Sequence, residues 1–194
     1  MMYAIPFHHM IVGLSAGAGT LMGICAILAW LSNRVSNLES SKSTLDKASY
    51  AASILTLVTL PLAMFSGYYS VSDPTGSAIF YNKFIFSGIA IGFTSSYIAG
   101  RIRYGAEIWD HPALANLQML SALFGLTSIM ILGSIGSKIT LGESTLDILP
   151  LWPEFMNSIV INQWVSLFLV IIGVSSVIIS FKMMSSEGGL SPFS

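Results

Sequence analysis

The chain has 194 residues, of which 54% are hydrophobic and only 9% are charged, whereas a soluble domain carries about 25% charged residues. Together with a mean hydropathy of +0.76, this composition excludes an ordinary soluble globular protein. The net charge is −1, so the chain has no basic surplus with which to neutralise a nucleic-acid backbone, and we expect no nucleic-acid partner.

Five apolar stretches have the length of about 20 residues that a helix needs to cross a hydrocarbon core. They predict an all-α fold, a polytopic membrane helical bundle with five transmembrane helices. Residues 1–194 are predicted to form a single integral-membrane domain, because the polar stretches between the spans are too short to bury a core. The predicted spans cover about 10–31, 48–69, 79–100, 113–135 and 159–181.

Several local signals predict where helices begin, bend or end. Ser43-Thr-Leu-Asp46 has the pattern of a capping box that starts the second span. Pro61 lies inside that span and predicts a kink. The segment 72–76 has turn chemistry, Gly105 can end the third span, and Asp110-His111-Pro112 has the pattern of an N-cap followed by an early-helix proline.

The segment 144–156 is predicted to lie in the membrane interface. It begins with a second capping-box pattern, Ser144-Thr-Leu-Asp147, and two prolines prevent a long regular helix in it. Trp152 is its expected interfacial anchor.

The distribution of Lys and Arg predicts the orientation of the chain. One face carries only Lys83 and Lys138, whereas the opposite face carries Arg34, Lys42, Lys47, Arg101, Arg103 and Lys182. Because cytoplasmic loops are enriched in Lys and Arg, we expect the N-terminus outside and the C-terminus inside a multi-pass protein of the cell membrane.

Small residues recur at helical spacing on four of the spans. Such faces let helix backbones approach closely in lipid, where the hydrophobic effect gives helices little reason to associate. They can serve packing within this chain or docking on a different subunit, and both alternatives stay open. The predicted helix-packing residues are Gly13, Gly17, Gly19, Gly23, Gly88, Gly92, Gly125 and Gly133.

The centres of the spans contain no Asp, Glu, Lys, Arg or His. This argues against a proton pump or an ion-coupled transporter, which commonly place charges there, but a passive lipid or gas pathway needs none. No nucleophile with a base and an orienting group is present in one motif, and no glycine pattern matches a nucleotide-binding loop. We therefore predict that the chain is not itself an enzyme and has no catalytic residues, although it can be a subunit of one.

The histidines do not predict a haem site. His9 precedes the first crossing and His111 follows three crossings, so about 30 Å separates them and they cannot ligate one iron. Copper is an alternative, with His8, His9, Met10 and an outer carboxylate such as Asp73 as metal ligands if the N-terminus is not helical. The competing interpretation is that these histidines cap a span or touch a neighbour. No cofactor is predicted, and bound lipid is expected.

The densest polar group follows the third span. Arg101, Arg103 and Trp109 are expected to anchor the chain at the lipid interface, as Trp152 does on the other face. A site for docking a partner is the alternative.

The sequence resembles two groups of membrane proteins. The segment Pro6-Phe7-His8-His9-Met10-Ile11-Val12 resembles the start of a family of small prokaryotic membrane domains whose first helix begins with His and Pro, and 133–139 resembles their Gly-rich helix end. Those domains have four spans, and their Pro follows the His. In general character, the chain is also similar to ancillary subunits of archaeal membrane oxidases, including ammonia monooxygenase. Neither resemblance assigns a functional residue.

These features together favour a non-catalytic structural or accessory subunit of a larger integral-membrane complex, such as a respiratory or oxidase assembly. Its expected partners are other integral-membrane subunits and membrane lipids. The alternatives are a small transporter or channel-like protein, and a haem- or copper-binding electron carrier.

Overall fold

The computed structural model describes residues 4–71, 78–144 and 147, together with the single helical positions 164, 168, 171, 175 and 178. Within these residues the fold is all-α, as predicted. The fifth predicted span, 159–181, lies outside the described residues apart from those single positions. Most of the interfacial segment 144–156, with Trp152, lies outside them as well, as does Asp73.

Four of the helices are long and apolar enough to cross a membrane, which confirms the first four predicted spans as helices. Each extends beyond its predicted apolar core into polar flanking residues, and α3 continues through Pro61. A short 3₁₀ turn, Ala106–Asp110, joins the last two long helices. The helices are α1 (Ala4–Ser32), α2 (Ser36–Glu39), α3 (Lys42–Ser70), α4 (Ala78–Tyr104) and α5 (Pro112–Leu141).

The four long helices form a ring in which α1 packs on α3, α3 on α4, α4 on α5 and α5 on α1. Because short connections join them, consecutive long helices run antiparallel. The bundle therefore has two ends. The tryptophan end contains Trp30, Asp46, Arg101 and Trp109, and the histidine end contains His8, Tyr69, Lys83 and Lys138.

Glycine and proline set several helix ends as the sequence predicts. Gly105 follows the last residue of α4 with a φ of 64°, a conformation that favours glycine. Pro112 is the first residue of α5, where its missing N–H costs no hydrogen bond. Gly142 ends α5 with a φ of 77°, and its N–H donates to the Lys138 carbonyl oxygen.

One half of the second predicted capping box is seen, and the first does not form. The Asp147 carboxylate accepts a hydrogen bond from the Ser144 N–H at 2.9 Å, as the second pattern predicts. The prediction for the first pattern was wrong: α3 begins at Lys42, its N-cap residue Ser41 makes no side-chain capping bond, and Asp46 turns into the bundle. Tertiary partners of Asp46 outcompete the local cap.

The interior of the bundle is built from small and polar side chains, and many large apolar side chains point outward. Ala26, Ala29, Ala90 and Ala122 are fully buried. Small interior residues let helices approach closely, and the apolar outer surface suits contact with lipid. The most exposed large apolar side chains of the long helices include Met10, Leu21, Val58, Phe65, Leu117 and Met130.

Candidate functional site

A stripe of buried polar residues runs along α3 and carries the most elaborate chemistry in the described residues. Its members are spaced three or four residues apart and therefore lie on one face of the helix. Each is at most 3% exposed, and the members are Asp46, Ser49, Ser53, Thr56 and Thr59.

Asp46 lies at the tryptophan end of this stripe and is 2% exposed. The Arg101 Nε donates to both carboxylate oxygens at 3.0 Å, and a second guanidinium nitrogen lies 2.9 Å from Oδ2. The Trp109 indole N–H donates to Oδ1 at 2.7 Å. The carboxylate thus links α3 to α4 and to the 3₁₀ turn.

A second set of hydrogen bonds lies one turn deeper. The Ser49 hydroxyl donates to the Met22 carbonyl oxygen at 3.0 Å. Because a hydroxyl has one proton, the 2.6 Å contact between Ser49 and Tyr97 must be donated by the Tyr97 hydroxyl. The Gln118 amide nitrogen donates to the Tyr97 carbonyl oxygen at 2.8 Å. These bonds connect α1, α3, α4 and α5.

Three further contacts close the tryptophan end from outside. The Asn33 side chain donates to the Trp109 carbonyl oxygen, and the Trp30 indole N–H donates to the Asn116 side chain at 2.8 Å. Lys42 forms an ion pair with Asp110. The connection between α4 and α5 is therefore fastened to the ends of α1 and α3.

The chemistry of this cluster is that of a structural tie. Each carboxylate oxygen of Asp46 has two donors. Oδ1 faces the Arg101 Nε and the Trp109 indole N–H, and Oδ2 faces the Arg101 Nε and a second guanidinium nitrogen. A carboxylate surrounded by this set of donors has little hydrogen-bonding capacity left with which to bind a substrate. A buried ion pair with good geometry holds its helices in one register, because sliding one helix along the other would separate the partners and leave a buried charge unpaired.

The residues predicted at the lipid interface divide into two groups. Arg101 and Trp109 point inward to Asp46, and Trp109 is only 1% exposed. This placement differs from the predicted lipid anchor, because an acidic partner on α3 captures both side chains. Arg103 is exposed on the neighbouring turn.

The predicted packing glycines also divide into two groups. At Gly23, an added Cβ would lie 2.7 Å from the Leu126 Cβ, and at Gly125 it would lie 3.1 Å from the Met22 Cε. At Gly19, an added Cβ would likewise collide with the Ile129 side chain of α5. No described atom lies within 4 Å of an added Cβ at the five remaining positions, Gly13, Gly17, Gly88, Gly92 and Gly133.

His8 and His9 both lie inside helix α1, so the non-helical N-terminus that a shared metal would need is not seen. Their ring centroids are 5.9 Å apart, and the His8 Nδ1 lies 3.0 Å from the Ser66 hydroxyl. His111 lies at the tryptophan end, the opposite end of the bundle. Within the described ranges, no group of three His, Cys, Asp or Glu residues is placed to hold a metal ion.

The Asp46 cluster was missed because each member has a plain local explanation. Asp46 fits a capping box, and Arg101 and Trp109 fit an interfacial anchor. The signal that points to the cluster is the spacing of Asp46 with Ser49 and Ser53, which continues the small-residue face of the same helix toward its start. Comparisons of the chain with protein-family models, curated proteins and solved structures find no match.

Proposed function

We propose that the chain is a non-catalytic accessory subunit of a larger integral-membrane complex in the cell membrane, with its N-terminus outside. The observation that carries the proposal is the exposed pair Gly88 and Gly92 on α4, one helical turn apart, with no described atom near either. The same is true of Gly13 and Gly17 on α1.

Glycine in a helix costs about 0.5–1 kcal/mol relative to alanine. Inside the bundle, this cost is offset at Gly19 and Gly23 by the close approach of α5. No such contact offsets it at Gly88 and Gly92 within the described residues. A further helix packed on this face would supply the missing contact, since small residues allow close backbone approach in lipid.

The two open faces belong to helices that lie diagonally across the ring, because α1 and α4 each pack on α3 and α5. The two faces lie on different helices, so we expect them to have different neighbours. The fifth predicted span of this chain is one candidate neighbour. Another subunit is the expected partner for the face that the fifth span leaves open.

A structural role also agrees with the saturated Asp46 cluster, whose hydrogen-bonding capacity is used within the chain. The general resemblance to ancillary subunits of archaeal oxidases makes a respiratory or oxidase assembly the first complex to examine. Membrane lipids are the remaining expected partners.

The test is recovery of the complex in mild detergent from the native membrane, followed by native mass spectrometry. Gly88→Leu or Gly92→Leu should reduce the recovery of partner subunits, while membrane insertion, which depends on hydrophobicity, is retained. Ile89→Leu is the matched control, because Ile89 is exposed on the same helix and leucine has the same volume.

One outcome would contradict the proposal, and a second would transfer the test to α1. Equal recovery for the glycine variants and the Ile89→Leu control would place this face in lipid. A lower melting temperature of the isolated Gly88→Leu chain would show that the chain itself covers the face, and the test would then move to Gly13→Leu on α1. A second result of the same kind there would leave no open face for a partner.

A further inference from the structure

A cleft of about 60 Å³ lies near the histidine end of the bundle, among α1, α3, α4 and α5. Its walls are mainly apolar and include Leu60, Met64, Phe84 and Leu132. Gly133 also lines the cleft and is exposed, so the cleft reaches the outer surface of the bundle.

Ser15 lines this cleft from α1 and is 4% exposed. Its hydroxyl oxygen is buried and has no hydrogen-bond partner among the described residues. Serine in a helix usually bonds a carbonyl one turn earlier, as Ser87 on the opposite wall does with the Lys83 carbonyl. A buried hydroxyl without a partner is costly, and it therefore points to a ligand atom in the cleft.

Lys83 lines the same cleft from α4 and is partly buried. Its ammonium group extends toward α5 and lies 3.7 Å from the position of an added Cβ at Gly136, where the missing side chain leaves room for it. Among the described ion pairs none includes Lys83. Among the described residues, His8 lies at the same end of the bundle and supplies no negative charge.

An anion would stabilise the Lys83 ammonium group here, because no acidic side chain among the described residues is paired with it. Any anion would lose water on entering the cleft, and a small anion gains no apolar contact in return. An anion that carries an acyl chain would instead place its charge at Lys83 and its chain along Met64, Phe84 and Leu132, toward the exposed edge at Gly133.

We propose that the cleft binds the anionic head group of a membrane lipid, with Lys83 and Ser15 as its polar contacts and the acyl chain lying along the apolar wall. The lipid is then a specific component of this end of the bundle rather than part of the surrounding solvent. This inference does not depend on the accessory role, because it concerns the chain alone.

The experiment uses the full-length chain, purified in a non-ionic detergent and titrated with dioleoyl phosphatidylglycerol or dioleoyl phosphatidylcholine while bound lipid is counted by native mass spectrometry. The two lipids have the same chains, and only the first has a net negative head group. The wild-type chain should bind phosphatidylglycerol more tightly. Lys83→Met should weaken that binding about tenfold, as expected for the loss of one charge-assisted hydrogen bond, and Ser15→Ala should weaken it less.

Lys138→Met is the matched control, because Lys138 lies at the same end and is paired with Asp147 instead of facing the cleft. It should leave phosphatidylglycerol binding unchanged. Lys83→Arg keeps the charge and should retain most of the binding, which separates the contact from any folding defect of Lys83→Met.

Three results would overturn the proposal. The first is equal binding of the two lipids by the wild-type chain. The second is an equal loss of binding in the Lys83→Met and Lys138→Met variants, which would indicate general surface charge. The third is protection of the chain against heating by inorganic phosphate as strong as that by phosphatidylglycerol, which would identify a free-anion site without a role for the acyl chain.

Discussion

Arg101 and Asp46 are 55 positions apart in the sequence and form a two-oxygen contact, with the Arg101 Nε 3.0 Å from each carboxylate oxygen. The contact joins the last turn of α4 to the first turns of α3. The Trp109 indole completes it from the 3₁₀ turn at 2.7 Å. The tryptophan end is thus fastened by one buried charge and two donors that come from later parts of the chain.

Removing the Arg101 side-chain charge should strongly destabilise the bundle. Arg101→Met retains much of the side-chain length but leaves Asp46, which is 2% exposed, without its cation. We expect a loss of about 3 kcal/mol in the free energy of unfolding, at the low end of the range for a broken buried pair because Arg101 is partly exposed. The measurement is chemical unfolding of the purified chain in detergent, followed by circular dichroism.

Arg103→Met is the control for this prediction, since Arg103 is two residues away on the same helix and is exposed. It should change the unfolding free energy by less than about 0.5 kcal/mol. Similar destabilisation by the two variants would mean that the charge at this end acts through the detergent or lipid surface and not through Asp46.

The packing glycines should differ in their tolerance of alanine. Gly23→Ala brings a Cβ to 2.7 Å from the Leu126 Cβ, an atom held by its own backbone, so we expect destabilisation of about 1–3 kcal/mol. Gly125→Ala meets the flexible tip of Met22 at 3.1 Å and should cost less. Gly13→Ala meets no described atom and should stabilise α1 by about 0.5–1 kcal/mol.

Thermal unfolding of the three alanine variants, in one detergent, measures this order. If Gly23→Ala were as stable as Gly13→Ala, the close approach of α1 and α5 near Leu126 would be wrong.

Reporter fusions test the crossings and the fifth predicted span. Fusions after Gly76 and after Arg103 should report opposite sides of the membrane, because α4 lies between them. A fusion at the C-terminus should report the same side as one after Glu39 if residues 159–181 cross the membrane. The same side as a fusion after Gly142 would mean that the chain crosses four times. Placement of the Glu39 fusion outside would contradict the predicted orientation.

The cap after α5 should depend on pH. The Ser144 N–H and the Lys138 ammonium both bond the Asp147 carboxylate and lower its pKa below the ordinary value of 3.8. A lowered pKa in the folded state means that the charged form stabilises the cap above pH 3.8. This contribution is lost as the pH falls through the folded-state pKa.

Titration of the Asp147 carboxyl by NMR should therefore give a midpoint below 3.8, and the Ser144 amide signal should shift with the same midpoint. In the Lys138→Met variant the midpoint should rise, because one of the two stabilising donors is removed. An Asp147 midpoint at or above 3.8 in the wild-type chain would contradict the cap.

Local sequence signals were sufficient for the elements whose energetics are local. The four described long helices were predicted from apolar length, because a hydrocarbon core sets the number of residues that must be apolar. The ends at Gly105 and Pro112 were predicted because a positive φ and a missing N–H act on the residue itself. The bond from the Ser144 N–H to the Asp147 carboxylate, one half of the predicted capping box, forms for the same reason, since its partner is three residues away.

Tertiary structure decided which partner a side chain contacts when both a local and a distant partner are available. Asp46 has a capping pattern, but the bundle offers it Arg101 and Trp109 in a buried site, where charge-assisted hydrogen bonds are stronger than a solvent-exposed cap. The spacing of the glycines is similar on α1 and α4, yet Gly23 packs on α5 and Gly88 meets no described atom. Helical periodicity determines which residues share a face, whereas only the packing of the four helices decides which face is turned inward.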